Sequence, residues 1–203
     1  MDDETSRRCR IARNKRTPPH RLEELARDYN YLIRQGVALN PSTPPHLLDE
    51  LANDDDFLVR VGVARNPSTP PEVLERLAYD KSWAVRVELP DNPSATKRTL
   101  SPLANDPDYE VFEAIASHPS LAGDVLSQFS VSPDWEDRTL AACALTFAHE
   151  AEQDLLSEDP RPEVRRALAR NPKTHAWVKL SMLDDEDPEV QALLTEWLEQ
   201  GVR

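Results

Sequence analysis

The chain has 203 residues and a formal net charge of −13 at pH 7, so it is long enough for a sizeable core and too acidic for general nucleic-acid or anionic-membrane binding. Its two cysteines, Cys9 and Cys143, form neither a disulfide framework nor a metal-ligand set, and we expect a reduced, cytoplasmic setting. No apolar run approaches the ~18 residues of a membrane span, and the first residues lack a signal-peptide pattern. The excess of arginine over lysine is typical of GC-rich bacterial genomes.

The beginning of the chain is basic, in contrast to the rest. Between Thr5 and Leu22 there are seven basic residues and no acidic one. This segment could contact a partner or a phosphate backbone, and it could equally be a solvated face that docks on the acidic body of another copy. Residues 1–6 are expected to be flexible.

Residues 56–80 contain a complete structural unit, and the rest of the chain repeats it. Asp56 is a favoured helix N-cap, so a first helix is predicted from Phe57. Val59 and Val63 are four residues apart and therefore share the buried face of that helix. The helix is predicted to end at Asn66, because a residue before proline is pushed out of the α region.

The second helix of the unit is predicted from its start signals. Thr69 is expected to cap it, with Pro70 in the first helical position and Glu72 completing a capping box. Its apolar face consists of Val73, Leu74, Leu77 and Ala78.

The unit recurs with a period of 26 residues, and one extra residue is inserted in the sixth copy. The turn position is occupied by Asn14, Asn40, Asn66, Asn92 and His118, and then by Asn171. One leucine of the second helix recurs as Leu22, Leu48, Leu74, Leu100 and Leu126. About seven repeats fit the chain, which predicts an all-α solenoid in which stacked neighbours bury a common core.

Two places depart from the pattern, and a final helix closes the stack of repeats. Pro90 should end the first helix of its repeat early. Residues 135–155 are interpreted as a degenerate repeat within a single solenoid domain, residues 1–203. Residues 188–201 are predicted to form a C-terminal capping helix that stops at Gly201.

The repeated motif V-R-x-x-V-A-x-N-P-x-T-P-x-x-L-L-x-x-L-A-x-D resembles the leucine-rich repeat variant (LRV) family. Arg34 to Asp54 and Arg60 to Asp80 match it almost throughout. The resemblance implies a right-handed superhelix of paired short helices, and HEAT-like repeats are the alternative. Some family members carry a cysteine-ligated iron–sulfur cluster, but the cysteines are missing here, so no cofactor is expected. The family has no common enzymatic activity that could be transferred to this chain.

An arginine recurs in one register of four consecutive first helices. A row of guanidiniums about 8–10 Å apart could bind an acidic or phosphorylated partner. Alternatively, each arginine pairs with an acid of the second helices, such as Glu24, Glu50 or Glu75. The candidate partner-binding residues, called the arginine row below, are Arg8, Arg34, Arg60 and Arg86.

An aromatic residue recurs at the start of each first helix. A row of aromatics could stack on a ligand or on nucleic-acid bases. Packing of the rings against each other between repeats is favoured, since a ring pair adds roughly 0.5–1.5 kcal/mol. The column consists of Tyr31, Phe57, Trp83, Tyr109 and Trp135.

Catalytic and metal motifs are not found in the sequence. His149-Glu150 begins like a zinc-binding H-E-x-x-H helix, but Gln153 takes the place of the second histidine. Cys143 lies in an apolar run and is interpreted as core. The chain has only four glycines and contains no glycine-rich phosphate loop. We therefore expect neither a bound metal nor an enzymatic activity.

The sequence thus favours a non-enzymatic scaffold that presents an extended repeat surface to an acidic or phosphorylated protein or peptide. One alternative is a HEAT-like nucleic-acid-processing enzyme of the alkylbase glycosylase type, for which strong salt-dependent DNA binding would be the sign. The other is an acidic inhibitor that occupies the basic site of a partner through residues 100–203.

Overall fold

The computed structural model describes residues 3–116, 118 and 125–201, and within these ranges the protein contains helices and no strands. The helices of the first half are α1 (Asp3–Arg13), α2 (Pro19–Ala26), α3 (Tyr31–Ala38), α4 (Pro45–Leu51), α5 (Phe57–Arg65), α6 (Pro71–Leu77), α7 (Trp83–Arg86) and α8 (Lys97–Leu100). A 3₁₀-helix (Ser101–Asn105) precedes α9 (Tyr109–Ala116), α10 (Val125–Ser130), α11 (Trp135–Ala144), α12 (Glu150–Ser157), α13 (Pro162–Arg170), α14 (Ala176–Ser181) and α15 (Pro188–Glu199).

The helices are arranged as stacked two-helix repeats in two compact units, Met1–Thr99 and Leu100–Arg203. In the first unit α1, α3, α5 and α7 pack in succession, and α2 packs against α4. In the second unit α9, α11, α13 and α15 pack in succession, and α10, α12 and α14 form the other layer. The predicted all-α solenoid of two-helix repeats is therefore confirmed.

The start of each first helix follows the predicted capping pattern in most repeats. The Asp56 side chain accepts a hydrogen bond from the Leu58 backbone N–H at 2.9 Å. Asn30, Asp134 and Asp187 cap their helices in the same way. Ser82 occupies the cap position of α7 without such a bond.

The predicted cap of the second helix is wrong. Pro70 is the N-cap of α6 and Pro71 begins the helix, one residue later than expected. The Thr69 hydroxyl donates instead to the Val63 carbonyl in the last turn of α5, at 2.7 Å. The usual donor four residues on is Pro67, which has no N–H, and the Val63 carbonyl otherwise accepts only from the Asn66 backbone N–H, at 3.1 Å. The threonine therefore closes the end of one helix instead of opening the next.

Two helices end where proline and glycine predicted that they would. The helix before Pro90, α7, ends at Arg86 after four residues. Gly201 follows α15 with a φ of +81°, the left-handed geometry of a C-terminal stop. At the other end, residues 3–6 are helical although flexibility was expected, and residues 1 and 2 lie outside the described part of the chain.

The apolar columns of the repeat form the core. Leu22, Leu48 and Leu74 from the second helices are fully buried, as are Val59 and Val63 from α5.

None of the helices in the described ranges is long and apolar enough to cross a membrane.

The first helices approach each other closely where glycine meets alanine. A Cβ atom placed on Gly62 would lie 2.9 Å from the Ala38 Cβ, and one on Gly36 would lie 3.0 Å from the Ala12 Cβ. Contacts under 3.0 Å require a shift of one helix, so Gly62 sets the spacing of α3 and α5.

We therefore expect Gly62→Ala to destabilise the protein by about 1–3 kcal/mol through overpacking. On propensity alone the change should stabilise a helix, by about 1 kcal/mol. Chemical unfolding of this variant measures which effect is larger. The swap Ala38→Gly with Gly62→Ala should recover most of the loss, and a single variant more stable than the parent would contradict the close approach.

Candidate functional site

Arg60 of the arginine row is buried and held in a bidentate ion pair. Its Nε and Nη2 donate to the two Asp80 carboxylate oxygens at 2.6 and 2.9 Å. Its Nη1 donates to the backbone carbonyls of Asp54 and Asp55 at 2.6 and 3.2 Å. One side chain thus joins the end of α6 to the turn that precedes α5.

The neighbouring repeats use the same arrangement. Arg34 donates to both carboxylate oxygens of Asp54, at 2.6 and 2.8 Å, and to the carbonyls of Asp28 and Tyr29. Arg86 is buried and donates to the Asp80 carbonyl at 2.6 Å. Arg8 pairs with Asp28.

The second unit repeats the contact where arginine returns to the register. Arg165 donates to both oxygens of Asp185, at 2.7 and 2.8 Å, and to the Asp159 carbonyl at 2.6 Å. Gln191, one repeat later, keeps only the carbonyl contact, to Asp185 at 2.6 Å.

The ion pairs shift the ionisation of both partners. Burial alone would raise the pKa of Asp80, but hydrogen bonds from Arg60 and from the Ser82 backbone N–H outweigh it and hold that pKa below its usual value. The hydrogen bond to Asp80 raises the pKa of Arg60. Both groups are therefore charged at neutral pH.

The structure thus aligns the arginines in one row, in which Arg8, Arg34 and Arg60 each form an ion pair within their own repeat. The carboxylate partners are the aspartates that follow the second helices, Asp28, Asp54 and Asp80, and not the glutamates considered from the sequence. Glu24 pairs with Arg21, and Glu50 pairs with Arg27. The partner-binding role of the row stays a prediction, because an incoming anion would have to displace aspartates from guanidiniums that already donate to them.

A second row of polar contacts joins the repeats at the turn asparagine, a role that the sequence pattern did not reveal. The Asn66 side-chain amide donates to the carbonyls of Ala38 and Asn40 in the preceding repeat, at 2.6 and 2.8 Å. Asn40 and Asn92 make the same pair of contacts one repeat away on either side. Each buried asparagine therefore fixes the register of two repeats.

Aromatic side chains at the first-helix starts are exposed in the first unit. Tyr31, Phe57 and Trp83 are 36%, 43% and 47% exposed, and no ring contact joins them within the described residues. The expected packing of these rings against each other is therefore wrong. Tyr29 and Tyr79, in the turns just before α3 and α7, are still more exposed, at 86% and 75%. We call Tyr31, Phe57 and Trp83 the exposed aromatic row.

The aromatic column behaves differently in the second unit. Tyr109 is exposed and lies against Phe112, with ring centroids 6.4 Å apart. Trp135 is partly buried, and the Arg161 guanidinium lies 5.7 Å from its ring centroid. Each of these two rings thus has a local partner.

A buried lysine replaces the leucine of the second-helix column in α14. Lys179 lies two periods and one inserted residue after Leu126, and only 3% of it is exposed. Its Nζ lies 5.4 Å from the ring centroid of Trp197, and burial lowers its pKa to about 8. Among the described residues no carboxylate pairs with it.

Lys179 lines a cavity of about 400 Å³ in the second unit, which we call the Lys179 pocket. The sequence analysis did not single it out, although a lysine in a column of buried leucines was a detectable signal. The other residues that line it are Pro107, Tyr109, Ala169, Arg170, Pro172, Leu193, Glu196, Trp197 and Gln200.

The remaining candidates show no catalytic arrangement. Cys143 is buried, as predicted, and burial raises its pKa. Within the described ranges no three histidine, cysteine or acidic side chains are grouped so that they could hold a metal ion. In the basic N-terminal segment, Arg8 is paired, whereas Arg10 and Arg13 are exposed and line an open groove with Cys9.

Stacked helix pairs joined by repeated polar contacts define a helical-repeat protein. The family model of the leucine rich repeat variant matches residues 31–56 and 57–82, two consecutive repeats. The chain is therefore a helical-repeat protein, and residues 31–82 match the leucine rich repeat variant repeat.

Comparison with solved structures gives two examples of similar chains. A structure described as a leucine-rich repeat variant with a novel repetitive structural motif is 27% identical with a TM-score of 0.46, over 89% of this chain and 72% of that one. An engineered protein is 20% identical with a TM-score of 0.33, over 88% of this chain and 94% of that one. Comparison with curated proteins finds no match.

Proposed function

We propose that the chain is a non-enzymatic scaffold that binds a protein or peptide partner through the exposed aromatic row of its first unit. The observation that carries the proposal is the exposure of three aromatic side chains, Tyr31, Phe57 and Trp83, at equivalent positions of consecutive repeats. Aromatic residues are enriched in binding hot spots because they bury a large area at a small entropy cost.

The ion pairs of the arginine row support this surface. Arg34 and Arg60 donate to the backbone of the turns that lead into Tyr31 and Phe57. Arg86 holds the carbonyl of Asp80, just before α7 and Trp83. The turns are therefore fixed before a partner arrives, which lowers the entropy cost of binding.

The nature of the partner is the finer part of the proposal. An extended partner fits, because the aromatic positions recur in step along the stack. An acidic or phosphorylated partner, bound by Arg8, Arg34, Arg60 and Arg86, is the second candidate. It is disfavoured by the cost of leaving Asp54 or Asp80 as a buried carboxylate without its arginine.

The test compares wild type with the triple variant Tyr31→Ala, Phe57→Ala and Trp83→Ala. Proteins retained from an extract of the native host by immobilised wild type are identified, and binding to the variant is then measured. We expect the variant to lose the partner by more than tenfold, as for hot-spot residues, and to keep its melting temperature.

Two further triple variants complete this test. Leu155→Ala, Trp177→Ala and Leu180→Ala removes exposed apolar side chains outside the row and should leave binding unchanged. Arg34→Ala, Arg60→Ala and Arg86→Ala tests the acidic-partner form, which requires weaker binding with an unchanged melt. Retention of the partner by the aromatic variant would overturn the proposal, and strong salt-dependent DNA binding would favour the enzyme alternative.

A further inference from the structure

The Lys179 pocket combines a buried cation with an apolar wall. Lys179 is 3% exposed and lies in α14, one of the second helices. Leucines at this position of the first repeats, Leu22, Leu48 and Leu74, are fully buried. A lysine is an unfavourable choice there, because an ammonium group without a counterion is poorly solvated in the core.

The preceding repeat shows how a polar side chain can be accommodated at this position. Gln153 is fully buried, and its amide donates to the carbonyls of Thr146 and Lys173 at 2.9 and 3.0 Å. Its side-chain oxygen accepts from the His175 backbone N–H at 2.8 Å. Lys179 has no comparable partner in the described part of the chain, and its one polar contact is with the Trp197 ring.

The walls of the pocket determine what could neutralise Lys179. Arg170 lines the pocket, and its guanidinium donates to the Asn105 and Pro107 carbonyls at 3.2 and 2.9 Å, so it is bonded to neutral groups only. Glu196 is exposed and supplies one carboxylate to the lining. Arg170 lies in the field of Glu196 and also of Asp106, Asp108 and Glu189, so its charge is balanced by nearby acids. Lys179 has no such acidic neighbour and is the cation of the pocket that lacks a counter-charge.

A single surplus positive charge suits a monoanion. A phosphate monoester carries about −1.5 to −2 charges at neutral pH and would bring excess negative charge close to Glu196. A carboxylate brings one negative charge, and Trp197, Tyr109 and Leu193 offer apolar surface beside it. A volume of about 400 Å³ accommodates a small organic ligand or one peptide residue.

We propose that the Lys179 pocket binds an organic carboxylate, with the anionic group paired to Lys179 and an apolar body against Trp197 and Tyr109. The site lies in the second unit and is separate from the exposed aromatic row, so it does not depend on the function proposed above. The carboxylate belongs either to a free small acid or to the C-terminus of a peptide.

The test uses N-acetylphenylalanine, its carboxamide, and a short peptide that ends in phenylalanine with a free carboxylate. Isothermal titration calorimetry of the full chain should show the acid or the peptide binding at least about tenfold more tightly than the carboxamide, since a charge-assisted hydrogen bond is lost in the amide. Binding of the peptide but not of the small acid would identify a peptide terminus as the source.

Variants locate the binding in the pocket. Lys179→Met keeps the apolar stem, and we expect it to bind the carboxylate about tenfold more weakly with an undiminished melting temperature. Lys173→Met changes an exposed lysine of the same unit and should bind as wild type. Equal affinity for acid and carboxamide, undiminished binding by Lys179→Met, or no binding of any probe at millimolar concentration would overturn the proposal. The acid and carboxamide comparison uses wild type, so it holds even if a variant fails to fold.

Discussion

Replacing Arg60 with alanine is expected to lower the free energy of unfolding by roughly 3–5 kcal/mol, as for a buried ion pair that loses one partner. Arg60 is 5% exposed, and two of its bonds go to the Asp80 carboxylate, whose side chain is 7% exposed. Its removal leaves that carboxylate without its counterion and the carbonyls of Asp54 and Asp55 without their donor. Urea-induced unfolding followed by circular dichroism measures the loss.

The chain offers a matched control for this prediction. Arg76 also pairs with an aspartate, Asp49 of the preceding repeat, at 2.6 Å, but both side chains are about half exposed. Arg76→Ala should therefore cost only about 0–1 kcal/mol. A similar loss in the two variants would mean that burial does not strengthen the contribution of the arginine row. If Arg60→Ala left the free energy of unfolding unchanged, the guanidinium of the wild-type protein would not be needed for stability and would be available for a partner.

The second large effect is expected for Leu77→Ala, at about 2–5 kcal/mol. Leu77 is 3% exposed and belongs to the apolar face of α6, together with Val73 and Leu74. The truncation removes buried methyl groups and leaves a cavity between layers that are held in register by the asparagine and arginine contacts. Because those contacts resist collapse, we expect a value in the upper half of the range.

The comparison variant for Leu77→Ala is Asp56→Ala, which removes only the cap of α5. That cap is one hydrogen bond, from the Leu58 backbone N–H at 2.9 Å, and its loss should cost about 1 kcal/mol. Thermal melts of the two variants give the order directly. A larger loss for the cap variant would contradict the assignment of Leu77 to the core.

Much of the fold could be predicted from the sequence because the repeat encodes it locally. The 26-residue period, the caps such as Asp56 and the paired valines of α5 depend on residues close together in the chain. Proline and glycine positions, such as Pro90 and Gly201, also predicted helix ends, since their backbone limits are intrinsic. These features do not require knowledge of which repeats touch.

The candidate sites were predicted less well, because their character depends on contacts between residues that are distant in the chain. The period aligned Arg60 with Arg34, but only the packing of α5 against the end of α6 decided that Asp80, and not Glu75, receives it. Asn66 was predicted as a helix-ending turn residue, whereas its amide bridges to the preceding repeat. Thr69 was predicted as the cap of the second helix, but its hydroxyl donates to the Val63 carbonyl of the first helix. A hydroxyl group can bond to the backbone on either side of it in the chain, so the sequence did not decide between the two.

The sequence by itself therefore determined the repeat, the starts of most first helices and which side chains share a face. The tertiary structure alone decided which polar side chains are used up in joining repeats and which remain exposed or unpaired. Arginines of the row are engaged by aspartates, the aromatics Tyr31, Phe57 and Trp83 are exposed, and Lys179 is buried without a carboxylate partner among the described residues. The physical reason is that helix signals act over a few residues, whereas burial and ion pairing depend on residues of other helices, about 20 or more positions away in the chain.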